Sequence, residues 1–143
     1  MFSLFKRKNT EVEAVYEAII TDARQPKLYT EYNVPDTPIG RFEMVALHAM
    51  PYFVTYAKAN EGGKTQALFD MIFADIEQSF REIGVGDLAV PKKMKRYMKD
   101  MNGMIQGHMA ANADHVDIVR RNVFGDEGTM NTKFKAYIKG LFS

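Results

Sequence analysis

Thr37-Pro38-Ile39-Gly40-Arg41-Phe42-Glu43-Met44-Val45-Ala46-Leu47-His48-Ala49-Met50-Pro51-Tyr52-Phe53-Val54-Thr55-Tyr56-Ala57 reads as a helix that other helices must surround. Threonine ahead of proline is an amino-terminal helix signal. The hydroxyl accepts an orphan amide, and proline's missing N–H costs nothing at the first position. Phe42, Val45, Ala46, Ala49, Phe53, Tyr56 and Ala57 make one stripe, and Met44, Leu47, Met50 and Val54 carry it around most of the circumference. A helix apolar nearly all round is a central one. Pro51 is expected to kink it, because it removes an internal hydrogen bond.

Outward from this helix the spacing stays helical. Asn33–Pro38 is a turn with two prolines and Asp36, and Pro26 suits the first turn of a short helix through about Tyr32. Before it, Thr10-Glu11-Val12-Glu13 reads as a capping box opening a helix to about Ala23. After the central helix, Asn60–Gly63 is a linker. Phe69, Ile72, Phe73, Ile76, Phe80 and Ile83 then form the stripe of a helix from about Lys64, with Gly84 as its left-handed stop. Asp87 suits a tight turn, and Pro91 opens a further helix. Its apolar face is Met94, Tyr97, Met98, Met101, Ile105 and Met109, and its opposite face is Lys92, Lys95, Arg96 and Lys99, with Lys93 nearby. A break near Ala110–Asp114 precedes Val116–Phe124, which Gly125 ends, and Asn131–Phe142 is a terminal helix. No segment alternates long enough to make a strand. The expected fold is all-α: one compact domain of about six helices over residues 10–143, behind a flexible basic and apolar segment, 1–9.

Composition narrows the function. A chain of 143 residues suits one domain, and 46% hydrophobic with 26% charged residues is an ordinary globular mix. The net charge of +1 gives no global argument for nucleic acid, and DNA is not an expected partner. The absence of cysteine excludes disulfides, zinc fingers, iron–sulfur ligation and thiol catalysis. No apolar run approaches the roughly 20 residues that cross a bilayer.

Three segments together are similar to one family. Tyr29-Thr30-Glu31-Tyr32-Asn33-Val34-Pro35-Asp36-Thr37-Pro38-Ile39-Gly40-Arg41-Phe42-Glu43 is the first, followed by His48 in a Leu-His pair. Gln66–Glu77 is the second and Arg81–Lys95 the third, in compatible order and spacing. They resemble the ubiquinol–cytochrome c chaperones over about Tyr29 to Lys99, with a weaker match at Arg121–Phe124. Met101-Asn102-Gly103-Met104 departs from the aromatic-Gly-Arg group that the family often carries. The resemblance implies a helical, non-enzymatic assembly chaperone without a cofactor. Such proteins hold newly made cytochrome b for assembly of ubiquinol–cytochrome c reductase. The ribosome and a second assembly factor are implied as further partners. The expected location is cytoplasmic and peripheral on the cytoplasmic face of a bacterial inner membrane.

Candidate partner-binding residues are Asp36, Arg41, Asp75, Lys92, Lys95, Arg96 and Lys99, and candidate membrane contacts are Phe2, Phe5, Lys6 and Arg7. The rival is a small enzyme or cofactor carrier with a pocket around Arg41, His48, Asp70 and Asp75. His48 lacks a histidine or carboxylate partner four residues away, so a hydrogen-bonded structural role is expected. An ion pair of Arg41 with Asp75 or Asp70 is expected ahead of catalysis. Gly103 and Gly107 are expected to let helices approach closely. The methionine face is read as core ahead of a groove for an apolar client.

Overall fold

The computed structural model describes the backbone of residues 2–82, 84, 86 and 89–143, and the side chains of these from residue 10 onward. It contains seven helices among the described residues: α1 (Phe2–Ala23), α2 (Pro26–Thr30), α3 (Pro38–Lys58), α4 (Gly62–Glu82), α5 (Val90–Met109), α6 (His115–Phe124) and α7 (Thr132–Leu141). Six of them run ten residues or more, and no strand occurs among the described residues.

α3 is the central element, as its pattern predicts, and packs against α1, α4, α5 and α6. Its two sides enter different cores. Phe42, Ala46, Ala49, Met50, Phe53 and Tyr56 join Val12 and Ile19 of α1, Leu68, Ile72, Phe73 and Phe80 of α4, and Met94, Met101 and Met104 of α5. Met44 and Leu47 join Ala23, Leu28, Tyr32, Val34, Val119, Met130, Phe134 and Ile138 in a second core under α2, α6 and α7. That second core explains why α3 is apolar almost all round.

The caps follow local chemistry. Thr37 Oγ1 accepts from the Gly40 amide at 3.0 Å, Asp114 accepts from Asp117, and Asn131 accepts from Phe134. Gly84 and Gly125 adopt positive φ, +83° and +85°, past the ends of α4 and α6. Pro51 lies within α3 without ending it.

Three expectations are corrected. α1 runs through Thr10, so Thr10–Glu13 is not its amino end; the downstream apolar pattern continues without needing a start there. Gly103 would carry a Cβ into open space, and at Gly107 the nearest atom is Ile118 Cδ1 at an ordinary 3.6 Å, so neither glycine marks a close helix crossing. As expected, the methionine face is mostly core: Met94 and Met101 are buried and Met98 is half-buried, while Met109 is exposed. Arg41 pairs with neither Asp75 nor Asp70, as described below. Ile83, Asp87 and the side chains of Phe2, Phe5, Lys6 and Arg7 lie outside the described residues.

Candidate functional site

The turn before α3 is tied down at several positions. The Val34 amide donates to Leu28 O at 3.1 Å, and its side chain is buried. Asn33 sits at φ +62°, a conformation asparagine tolerates better than most residues. Gly40 lies so close to the turn that a Cβ there would stand 1.8 Å from Pro35 O. Only glycine fits. Arg41 Nε meets Asp36 Oδ1 at 2.7 Å across the turn. Both side chains are exposed, so this pair adds little stability and chiefly orients the two groups. The guanidinium holds the Asp36 carboxyl below its usual range.

This turn forms one wall of a cleft of about 910 Å³. Tyr16, Ile20 and Arg24 of α1, Pro26 and Tyr29 of α2, and Val45 of α3 line it. Ile72, Asp75, Ile76 and Phe80 of α4, with Tyr97 of α5, close the other side. Its charges are largely answered from within. Asp36 and Arg41 face each other, and Tyr16 OH donates to Asp75 Oδ2. Burial first, and Asp75 second, push the Tyr16 phenol well above its ordinary pKa, so it remains a donor. The cleft therefore offers apolar surface between compensated polar groups.

Of the residues expected to bind a partner, Asp36, Arg41 and Asp75 thus share one cleft. Lys92, Lys95, Arg96 and Lys99 do not join them; they are exposed on α5. The rival pocket does not assemble. Asp70 accepts from Gln66 on the exposed face of α4. His48 is buried in the second core, with Nδ1 2.7 Å from Met44 O and Nε2 2.5 Å from Tyr137 OH. Met44 O only accepts, so Nδ1 carries the proton and Tyr137 donates to Nε2. Burial pushes the His48 pKa down and keeps this neutral form. Gln25 Nε2 completes the chain, donating to Tyr137 OH at 3.1 Å. His48 is the structural histidine that its spacing suggests.

Sequence reading missed three groups. His108 and His115 place their Nδ1 atoms 2.8 Å apart, with rings nearly parallel at 16° and centroids 5.1 Å apart. Phe142 lies flat against both rings. The two nitrogens point at each other across a hydrogen bond. Among the described residues no group of three or more His, Cys, Asp or Glu side chains gathers here to hold a metal. Glu43 is half-buried against Asp100, and its carboxyl is pushed up to about 7, by burial first and Asp100 second. Arg120 fixes the loop after α6, donating to the carbonyls of Gly125, Asp126 and Gly128. His108 and His115 are seven positions apart, and only the break between α5 and α6 brings them together. No local spacing announces such a pair.

The chain is thus a helical bundle with an open, largely apolar cleft, and the groups of the rival pocket are dispersed into structural bonds. Comparison with known proteins gives the class. The family model described as ubiquinol–cytochrome C chaperone matches residues 30–137. Among solved structures, the crystal structure of the Cbp3 homolog from Brucella abortus is similar at a TM-score of 0.72 and 31% identity, over 99% of this chain and 88% of that one. No curated protein sequence matches. The chain belongs to the ubiquinol–cytochrome C chaperone family. That membership places it with complex III assembly chaperones rather than with enzymes. Among the described residues, no helix is long and apolar enough to cross a membrane.

Proposed function

We propose that the protein holds newly made cytochrome b for assembly into ubiquinol–cytochrome c reductase, and that the cleft between α1, α3 and α4 is where the client is held. One observation carries this reading. The three segments that resemble the family come from distant parts of the chain, yet all contribute to the wall of this cleft. Tyr29, Asp36 and Arg41 come from the first, Ile72, Asp75 and Ile76 from the second, and Glu82 from the third.

The lining suits an apolar segment with a few polar edges. Ile20, Val45, Ile72, Ile76 and Phe80 supply apolar contact, while at its margins Arg41 can donate to a client's polar groups and Asp75 can accept from them. The volume of about 910 Å³ is open to solvent on one side and takes a few client side chains rather than an enclosed substrate. The role at the cytoplasmic face of the membrane, together with contacts through Phe2, Phe5, Lys6 and Arg7, belongs to the same reading.

A strain lacking the protein should lose assembled ubiquinol–cytochrome c reductase and keep its other respiratory complexes. Native-gel analysis of membranes checks this, and normal levels of the complex would remove the role. Ile76→Arg places a charge in the cleft wall and should fail to restore assembly or to co-purify cytochrome b, while keeping the parent's helicity. Full restoration by this variant would move the client elsewhere.

A further inference from the structure

The amino half of α5 departs from the way charge is arranged on its neighbours. On α4, Arg81 meets Glu77 at 2.9 Å; on α6, Arg120 and Arg121 both meet Asp117; and Lys64 meets Glu11 and Glu61. Lys92, Lys93, Lys95, Arg96 and Lys99 are all exposed, and none makes an ion pair among the described residues.

Their spacing makes them neighbours of one another. Lys92 lies three and four residues from Lys95 and Arg96, and Lys99 lies four and three residues from the same two. These are the distances at which side chains meet on a helix, and like charges there are unfavourable. The amino end of a helix is already partly positive, so cations in the first turns are opposed again. The N-cap is Ala89, which supplies no side-chain hydrogen bond, and no acidic residue stands in the first turn. Asp100, four residues from Arg96, makes no ion pair with it, and the next residues along the strip, Gly103 and Gln106, carry no charge. Among the described residues no ion pair answers this strip, and an external anionic surface would.

We propose that this face of α5 docks on the anionic headgroups of a phospholipid bilayer. Three features favour lipid over RNA. The strip runs about 10 Å along one side of a helix, at a rise of about 1.5 Å per residue, and can lie flat on a surface. No aromatic ring stands on it for a base to stack on; Tyr97, the only aromatic residue of α5, packs inward against Phe42 and Phe80. Four of its five cations are lysines, which act as point charges and lack the planar fork that reads base edges. The inference rests on the charge arrangement and stands independently of which client the cleft holds.

The test is co-sedimentation of the full chain with two sets of vesicles, pure phosphatidylcholine and phosphatidylcholine with one-third phosphatidylglycerol. The parent should bind only the second set and lose that binding at high salt. A basic residue near such a surface contributes roughly a fivefold factor in partitioning. The combined variant Lys92→Glu, Lys95→Glu, Arg96→Glu and Lys99→Glu should therefore lower binding at least tenfold. It should keep the parent's helicity, since acidic side chains suit the amino end of a helix better than the cations they replace. A second variant, with Lys133, Lys135 and Lys139 of α7 changed to glutamate, controls for overall charge and should bind within about twofold of the parent. Equal binding of the parent to both vesicle types overturns the proposal. So does undiminished binding of the α5 variant, or an equal loss in the α7 variant. Salt-sensitive binding of the parent to RNA with no binding to vesicles would assign the face to nucleic acid instead.

Discussion

The turn at residues 34–41 and the amino half of α5 are both exposed and both charged, yet they are built in opposite ways. In the turn, Thr37 caps α3, Arg41 answers Asp36, and Gly40 sits where a single added carbon would strike Pro35. At the start of α5 no side chain caps the helix, and its cations stand beside one another. The first region has been settled internally, so it can present a fixed shape. The second is left unsettled, so its charge remains available to something outside. Recognition by the turn should depend on geometry and recognition by α5 on ionic strength.

The sharpest way to break the comparison is at Gly40. Gly40→Ala forces Pro35 away from α3 or shifts the first turn of α3. Overpacking of this kind costs about 2–3 kcal/mol, and the obstacle here is backbone that cannot rotate aside. The variant should show a lower denaturant midpoint and lose cytochrome b co-purification together. Parent-like stability would mean that the turn is held less tightly than its contacts indicate.

The two regions meet at Glu43, one turn into α3 and facing Asp100 of α5. Glu43 also lines a small cavity with His108 and Asn122. Its folded pKa of about 7 lies above its ordinary 4.5, so the folded state binds the extra proton between those values. This contribution to stability is complete below about 4.5 and is lost as pH rises through about 7. His108, against His115, is shifted the other way, from 6.5 down to about 4, by burial first and His115 second. The unfolded chain therefore takes up that proton first, and stability falls as pH drops from 6.5 toward about 4. Through much of that range the two effects oppose each other. Glu43→Gln removes one of them. It should gain about 1–2 kcal/mol relative to the parent as pH rises from about 5 to about 8. Below about pH 6 it should lose stability more steeply than the parent does. Denaturant titrations at a series of pH values check both slopes, and parallel profiles would mean that Glu43 is ionised throughout.

What the sequence makes legible divides along the same line. The central place of α3, its Thr37 cap and the basic face of α5 depend on residues close together in the chain, and periodicity or capping rules read such patterns directly. The cleft depends on Tyr16 reaching Asp75 across 59 residues, and the second core on Tyr137 reaching His48 across 89. No spacing rule carries that information. The expected Arg41–Asp75 pair failed for the same reason: Asp36, five residues away in the turn, reaches Arg41 first. Family resemblance gathered Asp36, Arg41 and Asp75 as candidates, and only the fold shows that they share a wall.

Gly103 gives the smallest effect and the cleanest contrast with Gly40. Both are helical glycines inside stretches that bear on function, and sequence alone treats them alike. A Cβ on Gly103 meets nothing within 4 Å, and the residue is exposed on the strip that carries Lys92, Arg96 and Lys99. Without a neighbour to strike, the only change on adding a methyl group is the smaller backbone entropy lost on forming the helix. Glycine to alanine at such a site is worth about 1 kcal/mol. Gly103→Ala should therefore raise the denaturant midpoint with an unchanged slope, opposite in sign to Gly40→Ala. It should also leave vesicle binding at the parent level, because it adds no charge and displaces none of the lysines. A loss of stability instead would show that another part of the chain approaches Gly103 in solution, and that this end of α5 is packed rather than open.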